Sequence, residues 1–329
     1  MEDAAETITG LIQNAYASFA LLAGMQLDVF TPLSDGPLEA RQVAEKIGVS
    51  TDLLSPLLFA LTAAGLLRVE DNRFVNGGEA QRYLVASSPD YVGNLHHLLS
   101  DLWSATLRTA NSIRLGLPQA EHSFADMPSD RLHAFLRGLH GEALATGRDL
   151  AARFGFSTCR RLLDVGGGSG GLAVGVVEAC PDLCATVVDL PAVIPVTRRF
   201  IREAEASQRI HTLAIDVTRE PVPGEFDVAV VRALIQTLSP CEAGRALSHI
   251  GAALSPGSAI YILGNGILDD CRCSPREAAL FNIVFVNIYR GGRAYTESEY
   301  RDWLLQAGFA GVLRIRQSNG SSIITARKT

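Results

Sequence analysis

Leu162–Gly171 reads LLDVGGGSGG, and Val187–Pro191 reads VVDLP. An apolar run that ends in an acid and opens into glycines describes a buried strand followed by a turn whose backbone can touch a ligand. The second run is another apolar strand ending in an acid, Asp189, which can accept hydrogen bonds from two ribose hydroxyls. Together they confine the chain to a sheet with parallel strands, with an adenosine-containing cofactor at the strands' carboxyl ends.

From Arg160 onward the pattern alternates between strands and helices. Strands are expected at Arg161–Val165, Ala185–Asp189, His211–Ile215, Asp227–Arg232 and Ala259–Gly264, with helices between these five. A late pair near Gly311–Gln317 and Ser321–Arg327, separated by Ser318–Gly320, reads as an antiparallel hairpin added at one edge. The fold class is α/β, a Rossmann-like doubly wound sheet with a C-terminal antiparallel hairpin.

The first part of the chain differs. Ala15–Phe30, Leu38–Ile47 and LLSPLLFALTAAGLL read as helices, with Ser50 and Thr51 available to cap the last. LRVEDNRFVNGG then reads as two strands turning at Asp71–Asn72. Helix, turn, helix and wing make a winged-helix pattern. The second of those helices, Asp52–Gly65, has no Lys or Arg and carries an acid. A helix in the major groove needs donors for base edges and cations for phosphates. Its leucine-rich surface suits a protein partner, so dimerisation is expected and nucleic acid is not. Tyr91–Phe154 is a second helical block. The expected domains are residues 1–90, a mainly helical winged-helix dimerisation domain; 91–158, a helical connector contributing to the substrate pocket; and 159–329, the cofactor-binding domain.

With 329 residues, 47% hydrophobic and 19% charged, the composition is that of an ordinary globular protein. A net charge of −6 provides no general attraction to nucleic acid or anionic lipid. MEDAAETITG lacks a basic n-region, and Ala15–Met25 is too short to span a bilayer. A cytoplasmic protein with no membrane partner is the expectation. The six cysteines are scattered, Cys180/Cys184 and Cys271/Cys273 lack CxxC spacing, and no HExxH occurs. Reduced thiols and no metal site follow.

Gly166, Gly168 and Gly171 fit GxGxxG, with Asp189 eighteen residues further on, which also suits a dinucleotide. Three details favour S-adenosylmethionine (SAM). Asp164 stands before the loop and Gly170 completes DxGxGxG, suiting a cofactor whose methionyl ammonium needs an acceptor. The third strand also runs into an acid, Asp216, placed to meet an adenine amino group. No separate catalytic domain is expected after it, as a dehydrogenase would usually require.

With these motifs the chain resembles the class I SAM-dependent small-molecule methyltransferases of the caffeate and acetylserotonin O-methyltransferase type, over nearly its whole length. GGRAYTESEYRDWLLQAGF at Gly291–Phe309 resembles that family's GGxxRTxxE…AGF segment. The resemblance implies a homodimer through the N-terminal domain. It places Gly166 and Gly168 along the methionine moiety, Asp189 and Leu190 at the ribose and adenine, Asp216 and Val217 beside the adenine, and Arg232 at a cofactor-contacting cation.

The chain departs from that family where a phenol is deprotonated. Aligned on Arg232, the family's His falls on Gln236, and its two supporting Glu positions fall on Asn265 and Ala294. A phenol with a pKa of about 10 is a poor nucleophile until deprotonated, and a glutamine takes up no proton at neutral pH. Base-independent acceptors are therefore expected: a thioether sulfur, an amine, a nucleophilic carbon or an already acidic hydroxyl. Gln236 would then only position the acceptor. The alternatives are an O-methyltransferase using another base such as His140, a SAM-binding protein without methyl transfer, and a winged-helix regulator. Phe281, Phe285 and Tyr289, at four-residue spacing, are candidates for the substrate wall, alongside Trp103, His140 and Asn265. Arg290 and Arg293 could bind a substrate carboxylate.

Overall fold

The computed structural model describes residues 2–317 and 321–329. The turn expected at Ser318–Gly320 lies outside them. Two compact units form, Met1–Ser100 and Asp101–Thr329.

The first unit runs through α1 (Glu2–Gln26), α2 (Ala40–Ile47), α3 (Thr51–Ala63), β1 (Leu67–Glu70), β2 (Arg73–Asn76), α4 (Gly78–Tyr83) and the start of α5 (Leu95–Thr106). β1 and β2 pair antiparallel, and both turn residues, Asp71 and Asn72, have positive φ. That left-handed pair matches the strand twist, so the wing forms where the sequence places it. Leu38 bridges Phe74, which delays the start of α2 to Ala40. Ser50 takes the N-cap of α3, but its hydroxyl makes no capping bond. Phe30, Leu33, Leu54, Leu58, Leu61 and Phe74 form the centre of a buried core. Ile8, Leu11, Ile12, Tyr16 and Phe19 of α1 remain exposed, as does Leu53 of α3. Glu6–Gln26 is one helix long and apolar enough, by length and composition, to cross a membrane. It is longer than the Ala15–Met25 stretch recognised above because polar residues fall within a continuous helix.

The second unit continues α5 and adds α6 (Thr109–Leu115), α7 (Ser129–Phe154), β3 (Arg161–Val165), α8 (Gly171–Ala179), β4 (Cys184–Asp189), α9 (Ile194–Glu203), β5 (Ile210–Ala214), β6 (Phe226–Arg232), α10 (Pro240–Ala252), β7 (Leu254–Gly264), β8 (Ile267–Leu268), α11 (Arg276–Ile288), β9 (Tyr295–Thr296), α12 (Glu297–Gln306), β10 (Phe309–Arg316) and β11 (Ser322–Lys328). The main sheet has the order β10-β11-β7-β6-β3-β4-β5. β3 to β7 are parallel, and β11 is antiparallel to both β7 and β10. Alternate residues of each central strand serve opposite faces. Leu163, Val165 and Val231 pack with Leu247 and Ile250 of α10, while Leu162, Val187 and Val230 pack with Leu172 and Val176 of α8. Both faces are covered, which is why these strands read as continuous apolar runs.

Two features depart from expectation. No helix joins β5 to β6. The segment contains Pro221, Pro223 and Gly224, and Asp216 Oδ1 instead accepts from the Thr218 amide and hydroxyl in a tight turn. A short parallel pair, β8 with β9, also closes around α11; two-residue strands leave no periodic signal.

α7 crosses α8 at backbone distance. A side-chain carbon on Gly147 would overlap the Leu172 carbonyl, and one on Gly175 would overlap the Leu144 carbonyl. These two glycines bring α7 close enough for its side chains to reach the loop before α8.

Candidate cofactor and acceptor site

The site starts where β3 ends. Gly166, Gly168 and Gly170 all take left-handed φ, a conformation open to glycine at little steric cost. The loop is also crowded. An added carbon on Gly166 would meet Leu234 at 3.1 Å, one on Gly167 would meet Val187 at 2.6 Å, and one on Gly168 would meet Leu136 at 3.0 Å. Four bonds hold it. The Gly166 N–H donates to the Val188 carbonyl (2.8 Å) and the Gly168 N–H to Asp189 Oδ2 (2.8 Å). Thr197 Oγ1 of α9 donates to the Gly168 carbonyl (2.6 Å), and His140 Nδ1 of α7 bonds Ser169 Oγ (2.9 Å). Asp189 Oδ1 accepts from the Leu190 N–H (2.8 Å).

Asp164 lies beneath this loop with 1% of its surface exposed. Its Oδ2 is buried and has no hydrogen-bond partner among the described residues. Burial, followed by the charge of Asp189, pushes its pKa up to about 7, while the Ala173 N–H and Arg232 act in the opposite sense. Burial also pushes Asp189 up to about 6 against the pull of the Gly168 and Leu190 amides. Arg232, at the end of β6, pairs with Glu142 of α7 at 3.0 Å. Asp216 turns one oxygen onto Thr218 and the other toward Arg219 (3.3 Å), and the carbonyl of buried Val217 accepts from His249 Nδ1 (2.7 Å). Asp164, Gly166, Gly168, Asp189, Leu190, Asp216, Val217 and Arg232 therefore all sit at the carboxyl ends of β3 to β6, as the sequence motifs require. Thr197, Leu136 and Ser169 were not anticipated as loop supports, because two of them come from helices whose approach no local pattern encodes.

The next part of the site is a second crowded turn. Ala233 has φ 57°, a strained value for a residue with a side chain, and leads into a short 3-10 turn at Ile235–Thr237. Gln236 is buried in that turn. A carbon on Gly266 would stand 2.7 Å from Gln236 Cβ, one on Gly264 3.2 Å from Gln236 Oε1, and one on Gly292 2.5 Å from the Gln236 carbonyl. The fold thus gathers Gln236, the glycines flanking Asn265 and the segment carrying Ala294. Asn265 is exposed, whereas Ala294 is fully buried and donates its N–H to Asn282 Oδ1 (2.8 Å).

Phe281 and Phe285 of α11 and Tyr289 at its C-cap form the expected row, with centroids 5.2 and 5.6 Å apart. The same row packs on Leu268, Ala278 and Ala294, so it is core as well as candidate wall. Burial raises the pKa of the Tyr289 hydroxyl. Trp103 is half-buried on α5. His140 faces the glycine loop rather than the Gln236 turn. Arg290 is held by both oxygens of Glu121 (2.8 and 3.2 Å). Arg293 pairs with Glu299 (3.2 Å) and lies over the Tyr295 ring. Each of these two arginines thus has a protein carboxylate as its partner. Among the described residues no three His, Cys, Asp or Glu side chains gather into a metal-binding group.

Residues 115–310 match the O-methyltransferase domain family, and residues 9–86 match the O-methyltransferase dimerisation domain. The chain is 30% identical over 314 residues to the 3-hydroxy-5-methyl-1-naphthoate 3-O-methyltransferase of Streptomyces sahachiroi, covering 94% of this chain and 90% of that protein. It is 26% identical over 312 residues to the N,N-dimethyltransferase OxyT of Streptomyces rimosus, covering 91% and 88%. Its fold is similar to that of human N-acetylserotonin methyltransferase solved with SAM, with a TM-score of 0.83, 22% identity and coverage of 98% and 97%.

Proposed function

This chain belongs to the O-methyltransferase family that carries a dimerisation domain, and we propose that it moves the methyl group of SAM onto a small-molecule acceptor without a proton-accepting side chain at Gln236. The observation that carries this reading is the contrast within one site. The glycine-loop end has a buried carboxylate oxygen without a partner, while the Gln236 end has no titratable group at any of the three aligned positions. We further propose that it works as a homodimer, with the exposed apolar face of α1 covered by a second copy. The compartment expected above, the cytoplasm, belongs to the same proposal.

The residues present fit the cofactor. Asp164 Oδ2, buried and unpartnered, suits a cationic ammonium. Asp189 keeps lone pairs for two ribose hydroxyls after accepting from Gly168 and Leu190. Leu190 and Val217 offer apolar contact to an adenine ring, with Asp216 at its amino edge. Arg232 supplies a cation, currently satisfied by Glu142. When bound, SAM supplies a methyl group on a sulfonium, which a nucleophile in line with the S–CH3 bond can take. The protein's task is then to hold that line and exclude water, and effective molarity from such positioning is large.

Gln236 can donate one hydrogen bond and accept another at neutral pH without changing charge. It suits an acceptor that is nucleophilic without a side-chain base: a thioether, an amine, a nucleophilic carbon or an already acidic hydroxyl. The curated relatives above include one named for a naphthoate hydroxyl and one named for an N,N-dimethyl product, so the two activities occur among proteins similar to this one. Methyl-labelled SAM incubated with thioethers, amines, 2-oxo acids and phenols tests the reading. Turnover of the first three classes with little on unactivated phenols is expected, and Gln236→His is expected to raise phenol turnover by about 10²-fold, a typical contribution of a general base. Phenol turnover by the native chain that is lost in Gln236→Ala would overturn it.

Cofactor affinity should rise with pH. Asp164 is protonated below about 7 and then presents no charge to an ammonium. Calorimetric Kd values between pH 5.5 and 7.5 should tighten as pH rises; a flat profile would remove Asp164 from the ammonium's site.

A further inference from the structure

His140 was a candidate base or substrate contact, and its surroundings give it different work. It lies on α7, directly over the residues that open α8. Its Nδ1 bonds Ser169 Oγ at 2.9 Å, and Ser169 Oγ also accepts from the Gly171 N–H at 3.3 Å. The ring stacks on Phe200 of α9, centroids 4.8 Å apart and 21° from parallel. Arg137 covers Phe200 at 4.7 Å, and His133 stacks beside it at 5.0 Å. An added carbon on Gly171 would lie 2.9 Å from the His140 carbonyl and 3.0 Å from His140 Nδ1. The imidazole is therefore wedged between α9 and the loop, with the nitrogen nearest the loop already engaged.

The rest of the loop needs this support. Gly168 is gripped by its N–H to Asp189 and by its carbonyl to Thr197. Those two bonds set the loop up to Gly168. Gly170 follows with a left-handed φ of 72°, and Ser169 between them is the one loop residue with a side chain. The His140–Ser169 bond is the contact that ties the second half of the loop to a neighbouring element, and it does so from α7, the helix whose Glu142 also holds Arg232.

We propose that His140 is a positioning residue for the cofactor: through Ser169 it sets the shape of the glycine loop, and thereby SAM affinity, rather than removing a proton from the acceptor. The proposal rests on SAM being the ligand of this loop. A hydroxyl both donates and accepts, so the bond forms with either neutral tautomer of the ring. Asparagine can place an amide atom near the position of Nδ1, whereas alanine cannot.

Steady-state kinetics of His140→Ala, His140→Asn, Ser169→Ala and the His140→Ala/Ser169→Ala double variant test it, with melting temperatures measured alongside. Losing one partly buried hydrogen bond and its packing is expected to raise KM for SAM about tenfold in His140→Ala, the equivalent of about 1.4 kcal/mol. Ser169→Ala should show a rise of similar order, and the double variant no more than the larger of the two single effects, because all three lose the same bond. KM for the acceptor and kcat at saturating SAM should stay within about threefold, since no catalytic proton transfer worth 10² or more is removed. His140→Asn should recover most of the SAM affinity. The proposal is overturned if kcat falls a hundredfold with loss of a pH-rate inflection, the mark of a base. It is equally overturned if KM for SAM is unmoved in both single variants, or if the two changes multiply in the double variant. Calorimetry of the native chain and of His140→Ala with SAM separates the two levels: no binding to the native chain would reject the cofactor assignment itself, whereas equal binding to both would reject only the positioning role of His140.

Discussion

Gly147→Val should lower the melting temperature of the catalytic unit by about 10 °C, and Gly147→Ala by somewhat less. Both place a carbon on the Leu172 carbonyl, which is backbone of α8 and cannot turn aside as a side chain would. Overpacking a tight contact costs about 1–3 kcal/mol, and β-branching in a helix adds to it; for a unit of this size each kcal/mol moves Tm by about 2–4 °C. Alanine is a better helix former than glycine by about 1 kcal/mol, which softens its effect. The informative comparison is Gly141→Ala, on the same helix with open space at its would-be carbon. It should be neutral or slightly stabilising by differential scanning calorimetry. Equal losses at Gly141 and Gly147 would mean that the close crossing of α7 and α8 is not what the glycine serves.

Asp164→Asn should weaken SAM binding by at least about a hundredfold, because removing one partner from a buried ion pair costs about 3–5 kcal/mol. Without cofactor, the same substitution should leave the protein no less stable at pH 8, and more stable relative to the native chain as pH rises. The sign follows from the direction of the shift. The native carboxyl holds its proton up to about pH 7, against 3.8 for an ordinary aspartate. Its contribution to stability is thus fully present below about pH 4 and is lost as pH climbs through 7. Asparagine, which never ionises, keeps its contribution across that window. Melting temperatures of both proteins at pH 5, 6.5 and 8, with and without SAM, should show the native chain gaining more from cofactor and the variant falling less between pH 5 and 8. A variant that melts lower than the native chain at pH 8 without cofactor would show that the ionised carboxylate has a structural partner of its own.

These two substitutions also mark what could be read in advance. Asp164, Gly166, Gly168 and Asp189 were legible because a parallel sheet places consecutive strand ends side by side, so local motifs become neighbours by topology alone. The wing turn at Asp71–Asn72 was legible for a similar reason: two residues that tolerate left-handed φ between short strands leave few alternatives. The alternation of strands and helices breaks between β5 and β6, where Pro221, Pro223 and Gly224 interrupt any helix. The partners of Arg290 and Arg293, Glu121 and Glu299, were not legible because they are chosen by how segments pack, which charge patterns along the chain do not encode.

The amino-acid sequence by itself determined the class of fold, the strands of the main sheet, the acids and glycines at their carboxyl ends and the absence of an ionisable residue at Gln236, Asn265 and Ala294. Each depends on residue type at short spacing, where backbone geometry leaves little freedom. The tertiary structure decided which side chains brace the glycine loop, how α7 reaches it through Gly147 and Gly175, that Asp164 is left with a buried oxygen and no partner, and that His140 faces the loop instead of the Gln236 turn. Those properties come from contacts between residues far apart in sequence, 29 positions in the case of His140 and Ser169, and depend on how closely two helices approach.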